Sequence, residues 1–239
     1  MFKRILRKLV TDPFGLVRRT IAKTFLDKSR YCDGDDYNAL NYWKDRFTKY
    51  HLSLKGPGDE GLSEDANQRE YTRAAETFET LCVRESVNYE KVRILDIGCG
   101  TGFYTDLLAQ LGCRHYTGMD ITDVLFTELQ VRFPTFRLVQ QDVTEKAIAG
   151  EFDLVIMIDV AQHIVDEHKF SRTMQHIKTC LSREGLFIVT AALSKVNRLS
   201  PFYMKNRSLK DFQREFPGFA FGDPLPFRDK YILSIRETS

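Results

Sequence analysis

The chain has 239 residues, 43% of them hydrophobic and 28% charged, with a net charge of +2. This is ordinary globular usage, which excludes a disordered or fibrous protein, and the length holds one well-buried α/β domain with an accessory segment rather than two full enzyme domains. The longest unbroken apolar run, Leu154 to Ile158, is far shorter than the roughly 20 residues of a membrane-spanning helix; five scattered cysteines without a CxxC pair argue against a disulfide framework or a zinc site and for a reducing, cytoplasmic setting.

The charge is unevenly spread. The first thirty residues carry nine Lys or Arg against Asp12 and Asp27, a local charge of +7 that leaves −5 on the remainder, so no general attraction to nucleic acid is expected. Phe2, Ile5, Leu6, Leu9 and Val10 recur at helical spacing among basic residues and predict a short amphipathic helix over residues 2–10, ended by Asp12-Pro13. Leu16, Val17, Ile21, Phe25 and Leu26 predict a second. Two uses of residues 1–30 stay open: their apolar faces pack on the rest of the chain or on a second copy of it in a homodimer, or they meet an anionic membrane surface as a peripheral contact. A mitochondrial presequence fits less well, because Asp12 is an acid where such segments avoid acids.

Residues 31–66 are rich in Asp, Gly, Tyr and Lys and include Tyr42-Trp43-Lys44-Asp45-Arg46-Phe47. Tyr42, Trp43 and Arg46 read either as a lid over a ligand or as an amphipathic helix packing Tyr42, Trp43 and Phe47 on the core. Gly56-Pro57-Gly58 forces a turn, and Ser63-Glu64-Asp65 opens a helix over residues 63–86. The boundary therefore falls between a 1–62 segment of basic helices and lid and a 63–239 core domain.

From Lys91 the pattern alternates. Strands are expected at residues 92–97, 115–120, 136–142, 152–158 and 185–191, with helices at 104–111, 123–133 and 168–181, which implies a parallel sheet covered on both faces. At the C-terminus, residues 219–227 and 231–236 read as two strands joined by Arg228-Asp229-Lys230, a hairpin instead of another crossover.

The first strand ends in Asp96 and runs into Ile97-Gly98-Cys99-Gly100-Thr101-Gly102. Glycines let the backbone turn sharply and approach a ligand closely. Asp120 closes the second strand 24 positions after Asp96, where a carboxylate can accept two hydrogen bonds from a ribose diol. Gln141-Asp142 close the third, where a polar group can read an adenine edge, and Asp159 closes the fourth. Four successive strands ending in acids would line one crevice.

On these elements, together with Gly118-Met119-Asp120-Ile121, Gln141-Asp142-Val143 and Phe152-Asp153-Leu154-Val155 through Asp159, residues 65–239 resemble the class I S-adenosylmethionine-dependent methyltransferases. The resemblance implies an α/β, Rossmann-like, seven-stranded, mostly parallel sheet with an antiparallel final strand, and the cofactor S-adenosyl-L-methionine with S-adenosyl-L-homocysteine as product. Carried over by position, the turn containing Asp96, Gly98, Cys99, Gly100 and Gly102 would hold the methionine moiety. Asp120 with Ile121 would take the ribose, Gln141, Asp142 and Val143 the adenine, and Asp159 would sit near the sulfonium. A dinucleotide site would want glycine at 103, where Phe103 stands.

His163, four residues beyond Asp159, is the candidate base for an acceptor hydroxyl, with a reference pKa near neutrality; the other reading has it packed beneath the cofactor or capping the next helix. Tyr104 carries the same ambiguity between site and packing. His168 and His176 lie eight residues apart on a helix without a third ligand nearby, so no metal site is expected. The acceptor region spans residues 194–216, whose Lys195, Arg198, Lys205, Arg207, Lys210 and Arg214 either attract an acidic small molecule or form a solvated face. Asp159-Val160-Ala161-Gln162 stands where amino-methylating enzymes of the superfamily often carry an Asn-Pro-Pro-Tyr-like element, which favours a small-molecule hydroxyl acceptor over nucleic acid. An N-methyltransferase, and a non-catalytic cofactor-binding regulatory or assembly partner, remain as alternatives.

Overall fold

A computed structural model describes residues 27–34, 36–193 and 201–238. The two basic helices expected over 2–10 and 16–26, and Ser194, Lys195 and Arg198 of the acceptor region, lie outside the described residues.

The described chain opens with α1 (Asp27–Tyr31), a two-stranded ribbon β1 (Cys32–Asp33) and β2 (Asp36–Tyr37), and α2 (Ala39–Tyr50). Asn38 caps α2 by accepting from the Asn41 amide, which satisfies one of the free donors at a helix start. α3 (Glu64–Arg84) begins the same way, with the Ser63 side chain accepting from the Ala66 amide. The alternating part then follows: β3 (Arg93–Ile97), α4 (Phe103–Gln110), β4 (His115–Asp120), α5 (Phe126–Arg132), β5 (Arg137–Gln140), β6 (Phe152–Met157), a 3-10 turn (Ala161–His163), α6 (Glu167–Cys180) and β7 (Leu181–Ala191). After residue 200 come α7 (Leu209–Glu215), β8 (Phe219–Phe221), β9 (Leu225–Phe227) and β10 (Lys230–Glu237).

The main sheet runs β5-β4-β3-β6-β7-β10, with β8 and β9 both pairing antiparallel to the outer edge of β10. β9 pairs with Lys230–Ile232 and β8 with Ile235–Glu237, so the two lie end to end and fill one strand position. Seven positions result, five of them parallel, and β10 is antiparallel to β7. The single strand expected over 219–227 breaks at Gly222-Asp223-Pro224, because proline cannot donate to the ladder and a chain bend there lets both halves still reach β10. β7 starts at Leu181, earlier than the expected residue 185, after a register irregularity between Phe152 and Leu154 of its partner.

Period-two alternation splits the strand side chains between two cores. Leu95, Ile97, Val155, Met157, Phe187 and Val189 face α6 and α7 and pack against Phe170, Met174, Ile177, Phe212 and Phe216. Ile94, Leu154, Ile156, Leu186 and Ile188 face the other way, onto Phe78, Leu81, Cys82 and Leu108 of α3 and α4. With both faces covered, the polar ends of the parallel strands are left as the place where a ligand meets the sheet. The chain winds outward from β3 to β5, then returns to the other side of β3 at β6, so the switch point lies at the C-terminal ends of β3, β4 and β6. Among the described residues no helix is long and apolar enough to cross a membrane.

Candidate active site

A cavity of about 1030 Å³ opens at this switch point. Its floor is the glycine turn. Gly98, Gly100 and Gly102 all have positive φ, at +79°, +50° and +77°, where a side chain is strained. They do three different jobs. A Cβ on Gly98 would lie 2.3 Å from Cγ2 of Val160, so this glycine lets the turn after β6 cross the glycine turn in contact. A Cβ on Gly100 would stand at 3.4 Å from the Phe47 ring of α2 and inside the cavity wall. A Cβ on Gly102 would meet Leu129 of α5 at 2.4 Å, so Gly102 packs helix on helix and does not line the cavity.

Nor does Asp96, which is buried behind the turn and accepts a 2.8 Å hydrogen bond from the Tyr116 hydroxyl. Burial pushes its carboxyl up to about 7 against the pull of that bond. Its place is therefore under the turn, in support of it. Cys99 lines the cavity with its thiol buried and raised well above the usual range by desolvation.

Asp120 sits at the wall on the β4 side. Its Oδ2 accepts from the Gly100 amide at 3.0 Å and its Oδ1 from the Thr122 amide at 3.1 Å, which ties the end of β4 to the glycine turn. Each oxygen keeps a second acceptor position. Burial raises this carboxyl to about 6, and the backbone amides of Thr122 and Gly100 hold it from rising further. Ile121, Gln141, Asp142 and Val143 continue the same wall. Within it the Gln141 amide nitrogen donates to the carbonyls of Lys146 and Ala147, at 3.0 and 3.3 Å, and Asp142 Oδ1 accepts from the Thr144 amide at 2.8 Å, closing an Asx turn. Gln141 thus shapes the loop with its NH2 and has only its oxygen left over.

On the β6 side the wall is Asp159, whose φ of +61° is unusual for a residue with a side chain. Arg228 Nη1 and Lys230 Nζ grip its two carboxylate oxygens at 2.7 and 2.6 Å. These two cations hold the carboxyl below its usual range although burial alone would raise it. Sequence reasoning treated Arg228 and Lys230 as turn residues. The signal available was two cations flanking Asp229 in a tight hairpin turn at the sheet end that carries the acids.

Tyr37, Asn38, Trp43, Phe202 and His163 also line the cavity. His163 is half-buried, with Nδ1 3.0 Å from the Tyr203 carbonyl, so Nδ1 carries the proton and Nε2, 3.4 Å from the Gln162 side-chain nitrogen, the lone pair. The Trp43 ring meets it edge-on at 4.9 Å. Burial lowers the imidazole to about 4, against the raising effect of that carbonyl, so the near-neutral titration expected from its reference value is not kept. Of the segment read as lid or packing, Trp43 and Phe47 line the cavity and Tyr42 packs with Tyr31, Tyr37 and Tyr203. Arg46 is taken up by the carbonyls of Lys55, Gly56 and Gly58, so it anchors the Gly56-Pro57-Gly58 loop. Tyr104 also lines the cavity. The basic residues of the acceptor region are gathered by one carboxylate: Lys205, Arg207 and Arg214 all pair with Glu167. His176 Nδ1 donates to the Val143 carbonyl at 2.8 Å and holds the loop after β5. Among the described residues no group of three His, Cys, Asp or Glu could hold a metal ion.

The donor set suits a nucleoside without phosphates. The turn is kept clear of side chains, a carboxylate faces the ribose position, and Phe103 occupies the first helical position where a pyrophosphate would need open backbone amides. Residues 94–185 match the family described as "Methyltransferase domain". Residues 94–185 carry a methyltransferase domain. Among curated proteins it is similar to the ubiquinone biosynthesis O-methyltransferase of Bartonella tribocorum, with 27% identity over 61% of each chain. It is also similar to that of Caulobacter sp. strain K31, with 30% identity over 42% of this chain and 41% of the relative. The chain spans 40%, 41%, 34% and 61% of the first four curated relatives it matches. Among solved structures, magnesium protoporphyrin IX methyltransferase from Synechocystis PCC 6803 with bound SAH has a TM-score of 0.63 at 18% identity, covering 83% of this chain and 98% of that one. The N-methyltransferase NodS from Bradyrhizobium japonicum WM9, also with SAH, has a TM-score of 0.61 at 14% identity, covering 81% and 99%. At these identities the structural likeness bears on the fold.

The raised Asp120 carboxyl gives the domain a pH signature. A ribose hydroxyl donates best to the ionised form, and binding would draw the pKa back down. Affinity for S-adenosylhomocysteine is therefore expected to be level above pH 7 and to fall as pH drops through about 6, with proton release on binding in that lower range. Calorimetry in buffers of different ionisation enthalpy reads both; a flat affinity down to pH 5 would contradict the assignment.

Proposed function

We propose that the chain is a methyltransferase that transfers a methyl group from S-adenosylmethionine to a hydroxyl oxygen of a small-molecule acceptor. The observation that carries this reading is His163 in the cavity wall beside Trp43, with its Nδ1 on the Tyr203 carbonyl and its Nε2 facing no closer donor than the Gln162 side-chain nitrogen at 3.4 Å. The whole cavity is of the size that encloses a nucleoside and a drug-sized molecule, and too narrow a cleft for a folded macromolecule. The similarity to ubiquinone biosynthesis O-methyltransferases supports oxygen as the acceptor atom.

The cofactor when bound supplies a methyl carbon already activated by a positive sulfur. The protein's share is alignment, water exclusion and the proton. Trp43 and Phe202 hold a flat acceptor beside His163, and the packing of Trp43 against Phe47 and His163 limits the access of water. His163 Nε2 accepts a hydrogen bond from the acceptor hydroxyl and takes its proton as the oxygen gains the methyl. With a pKa near 4 the ring orients the hydroxyl and passes the proton on; it does not store it.

The test is transfer of labelled methyl from S-adenosylmethionine to fractions of small metabolites, with the unmodified chain and with His163→Ala. Label is expected in a low-molecular-weight acceptor, base-stable as an ether. The variant should lower the rate by about 10²- to 10⁴-fold, the usual share of a general base, with cofactor binding intact. The acid limb of the rate should lie near pH 4 to 5 and not at 6.5. An unaltered rate would remove His163 from the chemistry, and label found only in protein or nucleic acid would remove the small-molecule acceptor. A role for residues 1–30 as a peripheral membrane or dimer contact is part of the same proposal, checked by vesicle sedimentation and gel filtration of the chain with and without them.

A further inference from the structure

The ligand that the switch point holds must span β3. Asp120 is on the β4 side and Asp159 on the β6 side, so a ribose at Asp120 puts the opposite end of the cofactor, its α-amino acid, against Asp159. There the structure has more positive charge than it uses. Arg228 and Lys230 share a single carboxylate, and all three side chains are only 15 to 18% exposed. Lys230 also donates to the Gln162 side-chain oxygen, which is neutral and cancels none of the charge. Arg228 Nε and Nη2 and the Tyr104 hydroxyl are buried without a hydrogen-bond partner. The guanidinium carbon lies over Tyr71, 4.0 Å from the ring centre, and Tyr71 and Tyr104 both line the cavity. Two cations on one carboxylate leave a net positive charge behind this part of the cavity wall, which favours an anionic group in the adjoining space.

The geometry points to the hairpin turn Arg228–Lys230 as a positioning device for the α-amino carboxylate end of the cofactor. This rests on reading the cavity as an S-adenosylmethionine site. Neither cation lines the cavity; both act through their neighbours. By gripping both oxygens of Asp159 they hold its left-handed backbone, whose amide donates to Thr190 Oγ1 at 2.8 Å, and so fix the turn to Val160 that crosses Gly98. The charge left over favours the carboxylate, and Asp159, which lines the cavity, is placed for the ammonium. The C-terminal hairpin, the least local part of the fold, thereby selects the amino-acid half of the ligand while the glycine turn and Asp120 select the nucleoside half.

Two probes separate the halves: S-adenosylhomocysteine, and 5′-methylthioadenosine, which keeps the nucleoside and lacks the amino acid. Calorimetric titration of the unmodified chain, Arg228→Ala and the milder Arg228→Gln is expected to show S-adenosylhomocysteine weakened about 10-fold by Arg228→Ala, through the loss of one nearby charge and of the grip on Asp159, with methylthioadenosine changed less than about threefold. Arg228→Gln should fall between. Melting temperatures without ligand report whether each variant is folded. Equal weakening of both probes, or no change in either, overturns the inference and leaves the cofactor reading standing. Failure of the unmodified chain to bind either probe overturns that reading and the inference with it.

Discussion

Replacing Asp120 with alanine is expected to raise the dissociation constant of S-adenosylhomocysteine by at least about a hundredfold, while the chain stays folded. Two hydrogen bonds from a diol to a buried carboxylate are each worth about 1.5 to 3 kcal/mol, and the loss of both exceeds the roughly 2.7 kcal/mol of two decades in affinity. The carboxylate also accepts from the amides of Gly100 and Thr122, so the alanine variant leaves two backbone donors without their partner and loosens the turn that receives the ligand. Asp120→Asn retains one acceptor oxygen and should weaken binding by about tenfold only. Calorimetry on both variants, with circular dichroism as the check on folding, reads the order. Alanine and asparagine variants that bind like the unmodified chain would remove Asp120 from the site.

The second large effect is on stability. Gly98→Ala combines a left-handed conformation, which costs a residue with a side chain about 1 to 2 kcal/mol, with a Cβ placed 2.3 Å from Val160, an overpacking of about 1 to 3 kcal/mol. A loss of about 2 to 5 kcal/mol is expected, or a fall in Tm of roughly 4 to 20 °C for a chain of this size. Gly218→Ala is the control. Its φ is +80° and nothing lies within 4 Å of the added carbon, so only the conformational part is lost there. Thermal unfolding of the two variants side by side decides the matter; equal shifts would show that the contact between the glycine turn and Val160 carries no weight. Gly98→Ala should also weaken S-adenosylhomocysteine, because the turn after β6 must move for the new carbon to fit.

What could be read in the sequence was what is local. The alternation of strands and helices from Lys91, the glycine turn, and the acids at strand ends all follow from short-range periodicity and from what glycine and aspartate permit. They placed Gly98, Gly100, Asp120, Asp142 and Asp159 at one edge of one sheet, as the structure does. What could not be read was which way each residue of a motif turns. Asp96 and Gly102 belong to the same run as Gly98, yet one is held under the turn by Tyr116 and the other packs on Leu129, contacts made across 20 and 27 positions of sequence. The partners of Asp159 lie 69 and 71 positions downstream, at a hairpin turn brought to the end of β6 by the pairing of β10 with β7. Arg46 resembled a ligand-facing lid residue because guanidinium groups serve both purposes; three backbone carbonyls of the 55–58 loop decided its role. His163 looked fit for a base by its reference pKa, and only burial against Trp43 and Tyr203 shows that it works as a neutral ring. The convergence of Lys205, Arg207 and Arg214 on Glu167 is of the same kind, a pairing set by how α6 meets the chain before α7.

Hydrogen exchange followed by mass spectrometry, with and without S-adenosylhomocysteine, tests the central claim most directly, because it reports where the ligand sits without requiring the acceptor to be known. The amides of Gly98 to Gly102, Ile121 and Asp159 to His163 are predicted to slow together on addition of the ligand, with α7 and the exposed end of β5 unaffected. Protection confined to any other surface, or none at saturating ligand, would contradict the assignment of this crevice as the methyl-donor site.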